Sequence, residues 1–577
     1  MKKTIILFTL MCLSVSLSAQ EALKSTEEEY YDFLSLQGIT ERPTLGYRTL
    51  SDSEWKFRDV TQTKENEDGT FSKVQVPGKE SDFNIWKNNN LGTKFTLWEN
   101  ETPAENRFMN GIDQSIKAKI YGPEWFNSYN TASPYGQNDG ALWQGKGYNT
   151  SFTAGARLEG YGFELTFKPQ VSFSQNKEFD YFTSTSMQGS NYTDKANLYG
   201  YLWGVVDAPQ RFGDSSFWTF DWGDTEVRYT WHTFTVGFGT QSPWIGSAWL
   251  NSVLHSNNAA TYPKVDIGIR KTEIYLPFLN WDLGSIEGRI WIGRTTESEY
   301  FDNDSSNDHN MIHGLSMSYA PSFLPGLTIG ANRTCLVKWK WSNLKHIIPS
   351  EDNYVGPDAS EGEDQKASFT ADWMFPAVGF EVYGELGFDD GLHFNSIPQH
   401  ARTYTAGAKK AISLSKKYNL DSEIIFEWNC TEMSQDFQLQ WPYNFGFHHH
   451  ITQGYTNQGQ WIGAGSGYGG RGFYIGYRVY HPKGSILGFF HHWQPDNNFI
   501  YSKAVNASAD DGELNKKYIR SWKTFNTFGL TANYFFAHSF LAECSIYTTE
   551  IMNSLYAEDG TQDMRNWHFE LSAKYNF

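Results

Sequence analysis

Residues 441–472, WPYNFGFHHHITQGYTNQGQWIGAGSGYGGRG, hold the side chains that a sugar-binding surface needs. Flat aromatic faces cover the apolar sides of a pyranose ring, while amides and carboxylates meet its hydroxyls. Trp441, Tyr443, Asn444, Trp461 and Tyr468, with Gln458 and Gln460, are therefore candidates for carbohydrate binding. The same residues would also suit an aromatic girdle beside an ordinary loop, because barrel rims are rich in such rings. Gly465, Gly467 and Gly470 match G-x-G-x-x-G, but a dinucleotide site needs a preceding strand and a following helix in a crossover unit, and neither is predicted. His448, His449 and His450, with His491 and His492, could share a metal only on a sharply bent loop, since neighbours on a strand point to opposite faces. They read as loop histidines, with no metal expected.

Support for catalysis is equally thin. DNDSSNDHN opens like a calcium loop, yet Asn307 stands where the sixth-position Gly is required and His313 where Glu is required. Glu381 and Glu385 share one face of a predicted strand, but about 13 Å along it, beyond the roughly 5 to 9.5 Å of paired glycosidase carboxylates. A pair contributed by two strands stays open. Neither G-x-S-x-G nor H-E-x-x-H occurs, so serine and zinc hydrolase readings have no local support. The net charge of -18 disfavours nucleic acid as a partner. Beyond the N-terminal apolar run only Cys335, Cys430 and Cys544 remain, too far apart for a disulfide framework or metal spacing. No enzyme and no cofactor are expected.

The elements that must carry these residues follow from periodicity. Lys2 and Lys3 precede TIILFTLMCLSVSL and SAQ, the pattern of a secretory signal peptide over residues 1–19. No later run approaches the roughly 18 apolar residues of a membrane helix, and mean hydropathy is -0.54. A transmembrane β-barrel escapes such averages, because only alternate residues must be apolar. Aromatics make up 17% of the chain, with 22 Trp and 33 Tyr, the rings that favour membrane interfaces.

Residues 20–105 read as a docked N-terminal extension, part helical and part irregular. STEEEYYDFLSLQG predicts a helix with Ser25 as N-cap and Gly38 as its stop, and Ser51 and Glu54 have the spacing of a second helix start. Residues 61–105 read as irregular. From 106 to 577 the pattern is a succession of alternating segments. Phe152, Ala154, Ala156 and Leu158 share a face, which continues after a turn at Glu159 and Gly160 through Tyr161, Phe163, Leu165 and Phe167. Ile424, Phe426 and Trp428 oppose Glu423, Glu427 and Asn429 in the same way, and WHFELSAKYNF ends the chain on one apolar parity. Short turns alternate with long polar stretches, and the length allows sixteen to eighteen strands. The fold expected is a large all-β antiparallel transmembrane barrel in the outer membrane, with Tyr575 and Phe577 as its assembly signal.

NDGALWQGKGYNTSFTAGARLEG, GTQSPWIGSAWLNSVLHSNNAATYPKVDIGIRK, LPGLTIGANRT and EDQKASFTADW resemble, in order and spacing, segments of the capsule assembly Wzi family. Asn138, Asp139, Gly140, Trp143, Pro243, Trp244, Ser256, Asn257 and Asn258 carry the similarity, without a known role. The resemblance implies about eighteen strands with helices at the periplasmic mouth, and a lectin-like anchor for capsular polysaccharide. Its other implied partners are outer-membrane lipid and the barrel-assembly and capsule-export machineries. The alternative reading is a general diffusion or sugar porin.

Overall fold

The computed structural model describes residues 19–20, 24–65, 71–78, 80–83, 85–86, 89, 116–182, 206–348, 362–389, 402–432, 444–448, 450–500, 522–556 and 562–577. The signal-peptide segment, Trp441, Tyr443 and His449 lie outside them. Among the described residues one antiparallel sheet closes on itself: the last strand, Met564–Tyr575, pairs with the first, Lys117–Asn130, with Leu571 opposite Asn127. Phe163–Phe167 and Gln170–Ser174 form one interrupted wall strand, as do Phe217–Asp221 and Glu226–Trp231, which makes eighteen strands in all.

Lipid dictates the outer parity. Phe163, Leu165 and Phe167 face outward while Glu164 and Thr166 are buried inside, and the final strand repeats this with Trp567, Phe569, Leu571 and Tyr575 outward against buried Asn566 and His568. Short turns gather at one end and long connections at the other, as in barrels with periplasmic turns and extracellular loops. The first short turn is Tyr161–Gly162, not Glu159–Gly160. Both turn residues have positive φ (55° and 81°), which matches the twist of a two-residue hairpin, so Glu159 stays in the ladder opposite Glu164.

The N-terminal segment enters the lumen from the short-turn end. The helix Thr26–Leu36 starts where Ser25 Oγ accepts the Glu28 N–H at 3.2 Å. It ends at Gly38 (φ 66°), with Gly38 N–H donating to Ser35 O and Ile39 N–H to Leu34 O, the pairing of a Schellman stop. Tyr30, Tyr31, Phe33, Leu34 and Leu36 are buried, and Tyr30 stacks on Trp86 at 4.0 Å. Each contributes about 1.5–3 kcal/mol by leaving water. The acidic first turn reaches across to the wall: Glu27 to Lys574 (2.9 Å), Glu29 to Arg478 (2.5 Å) and, one turn on, Asp32 to Lys409 (2.6 Å).

The second helix suggested at Ser51 is instead a strand, Glu54–Phe57, paired with Thr40–Glu41. The Ser51 hydroxyl donates to Glu226 (2.8 Å) and accepts from Arg157 (2.9 Å), so the wall takes the group that would have capped a helix. Val60–Glu65 and Phe71–Val76 form a hairpin where no strands were expected; Thr61, Thr63, Val74 and Val76 supply the β-branched side chains that favour it.

Ser51 and Asp52 complete a closed circuit inside the wall. Arg157 meets Glu164 (2.5 Å), Glu164 meets Arg270 (2.7 Å), and Arg270 meets Asp52 (2.8 Å). Asp52 meets Arg289 (3.0 Å), Arg289 meets Asp266 (2.9 Å), and Asp266 meets Arg228 (2.7 Å). Arg228 binds Glu226 at 2.8 Å, and Ser51 links Glu226 back to Arg157. Four guanidinium groups face four carboxylates, so the circuit is neutral only with Asp52 in place.

Asp52→Ala is expected to leave Arg270 and Arg289 short of a partner and to cost about 3–5 kcal/mol, read as a lower heat-unfolding temperature of the detergent-purified barrel. Acid should loosen the same plug. Burial pushes the Glu29 carboxyl up, but Arg478 and Lys24 more than reverse this and bring it to about 2. Its contribution is complete above its ordinary 4.5 and is lost as pH falls toward 2, so the unfolding temperature should drop through that window; a flat profile there would contradict the pairing.

Candidate functional site

Among the described residues three connections, 131–146, 240–263 and 450–470 with 444–448, reach into the lumen from the long-loop end. Their backbones need partners once water is excluded, and wall carboxylates provide them. Glu427 accepts the N–H groups of Trp249, Leu250 and Asn251 at 2.7–2.9 Å, and Glu385 those of Ala248 (3.1 Å) and Val253 (2.9 Å). Glu287 does the same for Leu45, Gly46 and Tyr47 of the N-terminal segment. The two plugs meet where Trp244–Ile245 pairs with Tyr47–Arg48. Gly246 sits there at φ 92°, where a side chain is strained, and a Cβ would lie 2.0 Å from Glu385 Oε1 and displace that carboxylate.

The residues that carry the family resemblance are the clasps between these connections. Asn138 N–H donates to Asn258 Oδ1 (2.9 Å) and its amide to Leu250 O (3.0 Å); Gly140 N–H donates to Asn257 O (2.9 Å). Ser256 Oγ donates to Gly463 O (2.6 Å), and the Asn258 amide to Trp461 O (2.9 Å). Trp244 is buried with its indole N–H on Ala248 O (2.8 Å), and Pro243 is buried beside it. Trp143 packs on Phe212 at 4.8 Å, and Asp139 lies between two cavities.

One of these cavities, about 230 Å³, opens at the extracellular mouth and is lined by the rings of Tyr135, Trp143, Trp461, Trp493 and Phe525 and by the polar side chains of Asp139, Gln144, Asn258 and Gln460. Four of the rings are braced by ring contacts: Trp493 and Phe525 stack on each other at 4.3 Å, Trp461 meets Tyr468 edge-on at 5.2 Å, and Tyr135 lies 5.3 Å from His568. This is the inventory of a sugar seat, flat faces with polar atoms between them.

The structure separates the sugar-binding candidates. Trp461 lines the cavity. Asn444 and Tyr468 are fully buried behind it, with the Asn444 amide donating to Tyr468 O (2.6 Å) and Tyr468 OH to Val253 O (2.7 Å), so they shape the mouth without facing it. Gln460 lines the cavity and Gln458 is exposed. Sequence reasoning missed Tyr135, Gln144, Trp493 and Phe525; Gln144 stands next to Trp143 in the NDGALWQGKG stretch, whereas nothing local marks the other three. Glu381 and Glu385 are occupied, the first by Arg42 (2.6 Å) and the second by loop amides. His491 is buried and His492 bonds Asn526 (2.8 Å), while among the described residues no three His, Cys, Asp or Glu side chains converge as a metal site would require.

The family described as capsule assembly protein Wzi matches residues 128–546. Among solved structures the chain is similar to Wzi, an outer membrane protein involved in group 1 capsule assembly in Escherichia coli and described as a carbohydrate-binding β-barrel. The identity is 13%, the TM-score 0.51, and the overlap covers 79% of this chain and 85% of that one. Looser overlaps reach OccK2 (OpdF) of Pseudomonas aeruginosa, at 10% identity, TM-score 0.36 and 80% and 97% coverage, and the channel DcaP of Acinetobacter baumannii, at 9%, 0.32 and 80% and 97%. No curated protein sequence matches the chain.

At the mouth, burial lifts the Asp139 carboxyl to about 8 against the hydrogen bond from Gln144, and Glu570 adds to the rise. From its ordinary 3.8 upward the unfolded chain ionises while the folded site keeps its proton, so stability falls as pH rises toward 8. Asp139→Asn should therefore raise the heat-unfolding temperature at pH 7 and make little difference near pH 4; equal temperatures at pH 7 would count against a neutral buried carboxyl.

Proposed function

Because the chain belongs to the capsule assembly Wzi family, we propose that this outer-membrane barrel binds capsular polysaccharide at its extracellular mouth as a lectin-like, non-enzymatic anchor. The observation that carries this reading is the aromatic cavity built from three loops clasped to one another and to the wall. A cup fixed in advance loses little conformational entropy when a sugar enters. One pocket of this size gives a weak contact, but a repeating polymer offers the next identical unit at high effective concentration, so many barrels on one cell hold a chain firmly.

Two further observations support an anchor over the alternatives. Glu287, Glu381, Glu385 and Glu427 are each engaged by a cation or by backbone amides, which leaves none of them free as an acid–base pair. The lumen holds plug segments from both ends, which favours a closed barrel over a diffusion or sugar porin. Tyr575 and Phe577 face outward at the end of the closing strand, a position suited to recognition by barrel-assembly machinery, and the capsule-export machinery is the expected source of the polymer.

Purified barrel should retain the capsular polysaccharide of its own cell over unrelated glycans on an affinity column, and Trp461→Ala should weaken retention about threefold to tenfold. A strain lacking the protein should synthesise capsule at the usual rate and shed it into the medium. Equal retention of capsule on that strain would remove the anchoring role.

A further inference from the structure

On the outside of the wall one patch breaks the lipid-facing pattern. Along the strands His309–Pro321 and Leu327–Lys338, Met317 and Ile329 are exposed, as side chains that touch lipid must be. Nearer the extracellular end the same parity continues through Met311, His313, Cys335 and Val337, which stand opposite one another on the two strands and yet are at most 2% exposed. Their neighbours of the other parity, Ile312 and Leu336, pack on the loops inside the lumen, so these four face outward. A cover lies on them from outside.

That cover is the 3-10 helix Trp341–Ile347, which follows the strand Leu327–Lys338 and lies against the outer wall. The Asn343 amide donates to Lys338 O (2.9 Å) at the bend, Leu344 packs on Met311, Cys335 and Val337, and Arg333, of the lipid parity, donates to His346 O (3.0 Å). With Leu344 turned onto the wall, the opposite side of the segment is turned out. Trp341 is 83% exposed and Ile348 69%, beside the exposed Trp339, Lys340 and Lys345.

Full burial of Trp341 or Ile348 would stabilise the protein by about 1.5–3 kcal/mol each, which both forgo if water surrounds them. Their height on the barrel decides what does. From Leu327, beside the short turn, to Val337 the strand runs about ten residues at about 3.3 Å each; tilted by about 45° it climbs about 23 Å, close to the roughly 25 Å of an outer-membrane apolar band. The helix therefore sits where acyl chains give way to headgroups. Trp rings settle at that level, and Lys stems lie in the apolar layer while their ammonium groups reach the polar one.

We propose that residues 339–348 are an interfacial anchor on the outside of the barrel, with Trp339, Trp341 and Ile348 inserted at the acyl–headgroup boundary of the outer leaflet. The occupant is lipid, continuous with the lipid that meets Met317 and Ile329 below. Leu344 shields His313 and Cys335 from it, and the exposed rings fix the depth at which the barrel rides. The anchor does not depend on what the mouth binds.

The test uses the full-length barrel carrying Cys544→Ser, which removes the exposed thiol and leaves the buried Cys335 and Cys430. An environment-sensitive fluorophore is attached at Trp341→Cys, at Ile348→Cys or, as an extracellular-loop reference, at Ser305→Cys, and the protein is reconstituted into vesicles of phosphatidylcholine and phosphatidylglycerol. Trp341, Ile348 and Ser305 are all exposed, so the substitutions leave the packed wall intact. At the first two sites, lipid brominated near the headgroup should quench the label more than lipid brominated near the chain end, and aqueous iodide should quench it about threefold less than at the Ser305 site, or weaker still. Iodide quenching equal to the reference at both sites, with no response to brominated lipid, would overturn the anchor. Stronger quenching at both sites by the deeper bromines would overturn it as well, because the segment would then lie in the hydrocarbon core.

Discussion

The structure depends on a demand for charge balance set by the membrane. Lipid claims the outward parity of the wall strands, so most of their charged side chains are turned into the lumen, with exceptions toward strand ends such as Lys410 and Glu550. Removing such groups from water costs several kcal/mol per ion unless partners are close and well oriented. The wall supplies some partners between neighbouring strands, as Arg228 does with Glu226 and Asp266, but the account does not close within the wall. Arg270 and Arg289 share Asp52, Lys409 meets Asp32, and Lys574 meets Glu27, all from the N-terminal segment. The plug is therefore part of the electrostatic solution that lets the wall exist.

The same logic shapes the extracellular half with the signs exchanged for dipoles. Glu385 and Glu427 project inward and collect the amide N–H groups of residues 248–253, holding a loop that would otherwise face the lumen with unpaired backbone. That loop in turn carries Ser256 and Asn258, which hold residues 461–463, and the far side is tied by Asn138 and Gly140. The mouth cavity is the space these clasps leave between them. Its loops rest on carboxylates buried in the wall below, among them Glu427, which is not part of the cavity lining.

Much of this was legible in the sequence, for reasons tied to particular residues. The wall was readable because lipid imposes a period of two on long runs, so Phe163, Leu165 and Phe167 announce their face without reference to anything distant. The helix was readable because Ser25 and Gly38 act within one turn of its ends. The capping spacing at Ser51 misled because its hydroxyl is claimed by Arg157 and Glu226, over a hundred positions away. At the mouth, residue types singled out residues 441–472, and loop–loop packing decides which of the described rings there line the cavity: Tyr468 turns inward onto Val253 and leaves Trp461 on the lining. Tyr135 and Gln144 share the connection 131–146, whereas Trp493 and Phe525 stand at the ends of the strands Gly484–Gln494 and Thr524–Ala537, and only closure of the barrel brings the two groups to one cavity.

The order in which the chain meets itself has a consequence for biogenesis. The helix Thr26–Leu36 is made first, yet Lys409, which holds Asp32, lies 377 positions later, and Asn576, which holds Glu27, lies 549 positions later. The helix can therefore be fully seated only after the wall strands that carry these partners, although Lys24, Arg42 and Arg48 of its own segment already pair with Glu29, Asp32 and Glu28. The seal of the bore is thus built from contacts that span nearly the whole length of the chain.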